Sequence, residues 1–127
     1  MNMQKALLKI TEYITAYNEH NVAGMMVLLT DDVHFTHIAN GEIVMKLTSK
    51  IAFEQQALKV LPMFSKRTQT IVSFKYSPPS TTVDIHFSAT AAIDLDNGIK
   101  AGEMIVANVK SIFTFNDNLI NTITDIA

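Results

Sequence analysis

The second half of the chain constrains the fold most. From Arg67 onward apolar and polar residues alternate with the two-residue period of a β-strand, in four stretches covering residues 67–76, 81–95, 99–115 and 119–126. Between them stand Ser77-Pro78-Pro79-Ser80, Asp96-Asn97-Gly98 and Asn116-Asp117-Asn118, each placing proline or residues tolerant of positive φ where a tight turn needs them. Four strands joined by short turns run as an antiparallel meander. Strands of about fifteen residues are long against the usual five or six, and strands of that length twist and curl. Gly102 and the small residues Ala89, Ala91, Ala92, Ala101 and Ala107 are the expected bulge or bend points. A curled sheet has a concave side, and the rest of the chain must cover it.

The first part of the chain supplies the cover. Met3, Leu7, Ile10, Ile14 and Tyr17 recur at spacings of four and three, the stripe of an amphipathic helix running to about Glu19, with Tyr13 flanking the stripe. Asn21 is placed to cap a second helix that buries Val22, Met25, Met26, Leu28 and Leu29, before Thr30-Asp31-Asp32 closes the pair. Residues 33–38 then alternate as a strand, with Val33, Phe35 and His37 on one face and His34, Thr36 and Ile38 on the other. His34 and His37 therefore point to opposite sides and do not form a metal-ligand pair, so no metal is expected. Asn40-Gly41 marks a primed turn into a short returning strand over residues 42–47. Thr48 or Ser49 can cap a third helix with Phe53, Ala57, Val60 and Phe64 at helical spacing. Ile51, Leu58 and Leu61 broaden its apolar face, Glu54, Gln55 and Gln56 read as its solvated side, and Pro62 ends or bends it.

A chain of 127 residues suits one domain, residues 1–127. The economical packing is α+β, in the order helix-helix-strand-strand-helix followed by the four-strand meander. A curved, mostly antiparallel sheet wraps around the helices as a cone with a cavity at its mouth. With 48% apolar and 17% charged residues the composition is globular, and no apolar run reaches the roughly 18 residues of a membrane span. The first residues show no secretory signal, which makes the cytoplasm the expected location. A net charge of -2, with basic residues scattered singly apart from Lys66-Arg67, argues against nucleic acid as a partner. Absence of cysteine excludes thiolate chemistry and leaves oxygen and imidazole groups, with no cofactor implied.

The stretch Y-I-T-A-Y-N-E-H-N-V-A-G-M-M-V-L-L-T-D-D-V-H-F-T-H, residues 13–37, resembles the helix, helix, Asp-Asp, strand opening of ketosteroid isomerases. The later element order and F-T-F-N-D-N-L-I in the last hairpin resemble the same group, the nuclear transport factor 2-like superfamily with its SnoaL-like and ketosteroid-isomerase-like members. The resemblance puts Tyr13 at the tyrosine that donates a hydrogen bond to a developing oxyanion. It puts His37 where the isomerases keep a proton-shuttling aspartate, and Ser111 where they keep a second donor, a protonated aspartic acid. An imidazole titrates near ~6.5 and a free aspartate near ~3.9, so a histidine is a workable base at that place.

Alternation supports an inward Ser111, together with Ala107, Val109, Phe113 and Phe115. The expected catalytic set is His37, Tyr13 and Ser111. Phe35, Phe53, Val109, Phe113 and Phe115 are expected to line a ligand site, and Glu103 or Asp94 joins them if a bulge reverses the alternation. On residues 81–95, Val83, Ile85 and Phe87 face in, while Asp84, His86, Ser88 and Thr90 form an outer face on which the resemblance implies a homodimer. The expected function is proton transfer next to a carbonyl: isomerisation, cyclisation or dehydration. The alternatives are a non-catalytic pocket for a small apolar or aromatic molecule, or a structural or protein-interaction dimer module.

Overall fold

The computed structural model describes residues 1–127. Helix α1 (Met3–Asn18) starts at Asn2, whose side chain accepts from the Lys5 N–H at 2.9 Å. Its inward stripe is Ala6, Ile10, Tyr13, Ile14 and Ala16, rotated from the expected one: Met3 is 50% exposed, and Tyr13 is buried rather than flanking. Asn21 caps α2 (Val22–Met26) through the Gly24 N–H as expected. That helix is a single short turn, and Leu29 to Asp32 already belong to the first strand, so the Asp-Asp pair does not close a helix. Ser49 caps α3 (Lys50–Val60) through Ala52. Phe53 and Ala57 are buried on it, but Ile51 and Leu58 are 71% and 51% exposed, so the apolar face is narrower than their hydropathy suggests. Pro62 lies in a 3-10 turn, Leu61–Met63, and Phe64 opens the next strand.

The six strands are β1 (Leu29–Ala39), β2 (Glu42–Leu47), β3 (Phe64–Ser77), β4 (Ser80–Ala91), β5 (Met104–Asn116) and β6 (Leu119–Ile126). They form one sheet in the order β2-β1-β6-β5-β4-β3. Positive φ at Asn40 and Gly41 makes the β1–β2 turn, and at Asp117 and Asn118 the β5–β6 turn, as the residue types require. Every neighbouring pair is antiparallel except β1 and β6, which run parallel with His37 opposite Asp125. That pairing brings the two most distant strands of the sequence side by side. The cone-like α+β architecture and the β3-to-β6 meander thus agree with the sequence pattern.

Between β4 and β5 the tight turn at Asp96-Asn97-Gly98 forms, closed by the Gly98 N–H donating to the Leu95 carbonyl at 3.2 Å, but it sits within an irregular connection over residues 92–103 because the strands stop at Ala91 and resume at Met104. Gly98 and Gly102 adopt positive φ there, so Gly102 shapes a turn and not a strand bulge. Register shifts instead fall between Leu29 and His34, at His37/Ile38, between Phe64 and Lys66, between Ile71 and Ser73, and at Thr114/Phe115.

The concave face carries the core. Ile10, Leu29, Val33, Val83 and Ile120 are fully buried, each worth about 1.5–3 kcal/mol. α1 packs on β3, and α3 packs on β1. A reciprocal pair of hydrogen bonds fastens the end of α1: Asn18 Nδ2 donates to the Gln69 carbonyl at 2.9 Å, and the Gln69 N–H donates to Asn18 Oδ1 at 2.8 Å. Asn18→Ala is expected to cost about 1–3 kcal/mol in urea unfolding, because both Gln69 backbone groups lose their partner in a half-buried place. An unchanged midpoint would mean that the apolar stripe alone docks the helix. No helix is long and apolar enough to cross a membrane.

Candidate active site

The helices leave part of the concave face uncovered. A cavity of about 350 Å³ remains, walled by 18 residues of which 13 are hydrophobic. That is within the range of about 300–1,000 Å³ usual for small-molecule sites. All six strands contribute, from Phe35 and His37 on β1 to Asp125 on β6. Phe35 and Phe53 meet edge to face, centroids 5.3 Å apart at 87°, and give one wall a rigid aromatic corner. The remaining lining residues are His37, Gln56, Arg67, Gln69 and Asp125, to which the hydroxyls of Tyr13 and Tyr17 add polar groups.

Local structure explains each placement. Alternation from the buried Val33 turns Phe35 and His37 inward and leaves His34 exposed, its Nδ1 2.9 Å from the Asp32 carbonyl. Alternation from the buried Ile123 does the same for Asp125, and the parallel register sets it beside His37 on the same face. Ser111 on β5 pairs with Asp125 in register, and its Oγ donates to Asp125 Oδ1 at 2.6 Å. Tyr13 projects from α1 against Phe113, the ring centroids 5.9 Å apart at 73°. The His37 ring and the Tyr13 hydroxyl make no hydrogen bond to the protein, which leaves both free for a ligand.

Electrostatics separate the roles. Burial raises the Asp125 carboxyl above its ordinary value; the Ser111 hydrogen bond and the neighbouring His37 oppose this without cancelling it. Burial also holds the Tyr13 phenol well above its ordinary value, with the charge of Asp125 and the neighbouring Tyr17 adding to the rise and Arg67 opposing it. Tyr13 is therefore a neutral O–H donor and not a base. Tyr17 is raised by burial as well, against the pull of Arg67 and Gln69.

Several expectations meet here and others do not. His37 and Tyr13 share one cavity, with Phe35, Phe53 and Val109 in its wall. Ser111 is buried behind the wall, 3% exposed, with its hydroxyl committed to Asp125. Phe113 is core, and Phe115 packs against the core, so neither lines the cavity. Glu103 does not enter: β5 begins only at Met104, and Glu103 is exposed in the β4–β5 connection, where its Oε1 accepts from the Lys100 N–H. Asp94 is exposed in the same connection, 3.7 Å from the Lys100 ammonium. Gln56, read as solvated, lines the cavity.

Asp125 and Arg67 were missed from sequence. The available signal was their position, each a lone charge on the inward face of its strand. His/Cys/Asp/Glu groups able to hold a metal ion are not present.

Comparison with known proteins agrees with this architecture. The family model described as the SnoaL-like domain matches residues 10–123. No curated protein matches the chain. Among solved structures, a protein from Xanthomonas campestris provisionally described as a polyketide cyclase is 17% identical with a TM-score of 0.83, over 100% of this chain and 93% of that one. A Catenulispora acidiphila protein with a ketosteroid isomerase-like fold, in complex with trimethylamine, is 13% identical with a TM-score of 0.75, over 92% and 82% of the two chains. An epoxide hydrolase of M. tuberculosis is 10% identical with a TM-score of 0.77, over 97% and 82%. At these identities the likeness shows the fold.

Proposed function

The chain belongs to the SnoaL-like domain family, and from that footing we propose that it is an acid–base enzyme moving a proton next to the carbonyl of a small, largely apolar molecule. One observation carries this reading: an otherwise apolar cavity brings together an unpaired imidazole, a neutral buried phenol and a buried carboxyl group. His37 takes the proton from the carbon next to the carbonyl. Tyr13 donates its O–H to the oxygen on which negative charge develops, and an apolar wall strengthens that bond by keeping water out. Asp125, held by Ser111, faces the imidazolium that His37 becomes and steadies it until the proton is returned. Ser111 is a positioning residue, one step removed from the oxyanion. Isomerisation, aldol-type cyclisation and dehydration all share this first deprotonation. The relatives' descriptions differ among themselves, so the choice between these outcomes rests with the substrate.

The test is hydrogen–deuterium exchange at the α-carbon of small aryl ketones and enones, followed by NMR. Protein-dependent exchange above buffer supports the reading. Saturable binding of the same compounds without exchange would instead make the cavity a carrier's binding site.

The outer sheet face supports a homodimer. On β4 and β5, Met104 and Val106 are 72% and 59% exposed beside Thr90 and Ser88, and the Asp84–Lys110 pair, 3.7 Å apart, lies further along the same face. An apolar patch with a polar rim suits a second copy of the chain. Sedimentation velocity at micromolar concentration is expected to give twice the chain mass, and a single-chain mass rejects the dimer.

A further inference from the structure

Arg67 is not used by the proton-transfer scheme, and its surroundings are unusual. It is 4% exposed, lines the cavity, and has no carboxylate within salt-bridge distance. Its guanidinium lies 3.8 Å over the Tyr17 ring, and one nitrogen, Nη2, donates to the Tyr17 carbonyl at 3.2 Å. Nε is buried with no partner. A guanidinium has five N–H donors in a planar fork, so most of its capacity is unused. The end of α1 and the face of Tyr17 compensate part of the charge. A mere cap on α1 would use one donor and leave a buried positive charge without a carboxylate, and an unpaired buried charge is costly.

Gln69, two residues along β3 and on the same face, and Gln56 from α3 add amide groups to the same cavity. Asp125 stands three strands away in the sheet order, too far to serve as the ion-pair partner of Arg67.

We propose that the cavity takes a ligand with two ends: an apolar carbonyl-bearing body toward His37 and Tyr13, and a carboxylate received by the free edge of Arg67. This rests on the cavity being the ligand site, as proposed above, and narrows the substrate class to small arylalkyl or alkyl keto acids. Arg67 is chosen over lysine by the geometry: a planar fork stacked on Tyr17 can accept a carboxylate in two parallel hydrogen bonds.

Calorimetric binding of 3-phenylpropanoate and of its neutral amide tests it. Wild type is expected to bind the acid about 10–100-fold more tightly than the amide, the range of a charge-assisted hydrogen-bonded pair. Arg67→Met is expected to abolish that preference while leaving amide affinity within about threefold, and Arg67→Lys to retain part of it. If Arg67→Met fails to fold, the wild-type preference and its reduction in Arg67→Lys decide. Absence of acid binding, equal affinity for acid and amide in wild type, or an undiminished preference in the folded variants overturns the proposal. Affinity needs no turnover. Acid preference without proton exchange removes the catalytic reading alone, and exchange without acid preference removes the role of Arg67 alone.

Discussion

Replacing His37 by alanine is expected to lower protein-dependent α-proton exchange by about 10²–10⁴-fold, the usual contribution of a positioned general base. The fold should scarcely register the change. The His37 ring makes no hydrogen bond to the protein, so its removal orphans no partner, and the side chain borders space that is already open. Thermal or urea unfolding is therefore expected to stay within about 0.5–1 kcal/mol of wild type. The void left by the ring adjoins Asp125, so imidazole added to the buffer should restore part of the exchange in a saturable way. Equal exchange by wild type and His37→Ala would remove His37 as the base. Loss of exchange together with loss of stability would make the residue structural.

His37 was legible from the sequence because local rules placed it. Strand alternation from Val33 needs no knowledge of distant residues, and the flanking Asn40-Gly41 turn fixes where the strand ends. The same locality explains the correct caps at Asn21 and Ser49 and the bounds of the last strand. The rotation of α1 was not legible in this way. Met3, Leu7 and Leu8 make its first turns apolar on several sides, and only tertiary contact, with α2, with β3 and with Phe113 on β5, selects the face that buries Ala6 and Tyr13 and leaves Met3 out.

Asp125 was hidden for a related reason. Its meaning depends on β6 lying parallel to β1, a pairing between the ends of the sheet-forming chain that turn chemistry between neighbours does not determine. Arg67 looked like half of a basic pair with Lys66, yet the two point to opposite faces, and the sheet separates a solvated lysine from a buried arginine. In the β4–β5 connection the error ran the other way. Ile93, Leu95 and Ile99 suggested longer strands, but Ile93 is 48% exposed, and hydropathy alone could not show that the sheet had already ended.

Asp125→Asn is expected to move stability and activity in opposite directions. Burial raises the Asp125 carboxyl above the ordinary value, so the folded protein holds that proton more tightly than the unfolded chain does. The associated stability is complete below the ordinary carboxylate pKa near ~3.9 and is lost as pH rises through the higher folded value. Ionising Asp125 in the folded protein therefore costs more than ionising it in the unfolded chain, and that cost weighs on the fold at neutral pH. An asparagine has no such proton to lose, and its amide oxygen can still accept from Ser111 Oγ. The variant should be more stable than wild type at neutral pH, and the difference should shrink as pH falls toward the acid range. Proton exchange should drop by about 10²-fold, because the imidazolium formed at His37 loses its facing negative charge. Removing that charge also lets the Tyr13 phenol titrate nearer its ordinary range, a change readable by ultraviolet titration. Asp125→Ala is the control, since it leaves the Ser111 hydroxyl unpaired and should lower both quantities. A residue that lowers stability where the protein works, yet is held in place by a 2.6 Å hydrogen bond, is accounted for by chemistry at the cavity rather than by the fold. If Asp125→Asn were as active as wild type, the carboxylate would have no part in the reaction, and His37 would have to act with Tyr13 alone.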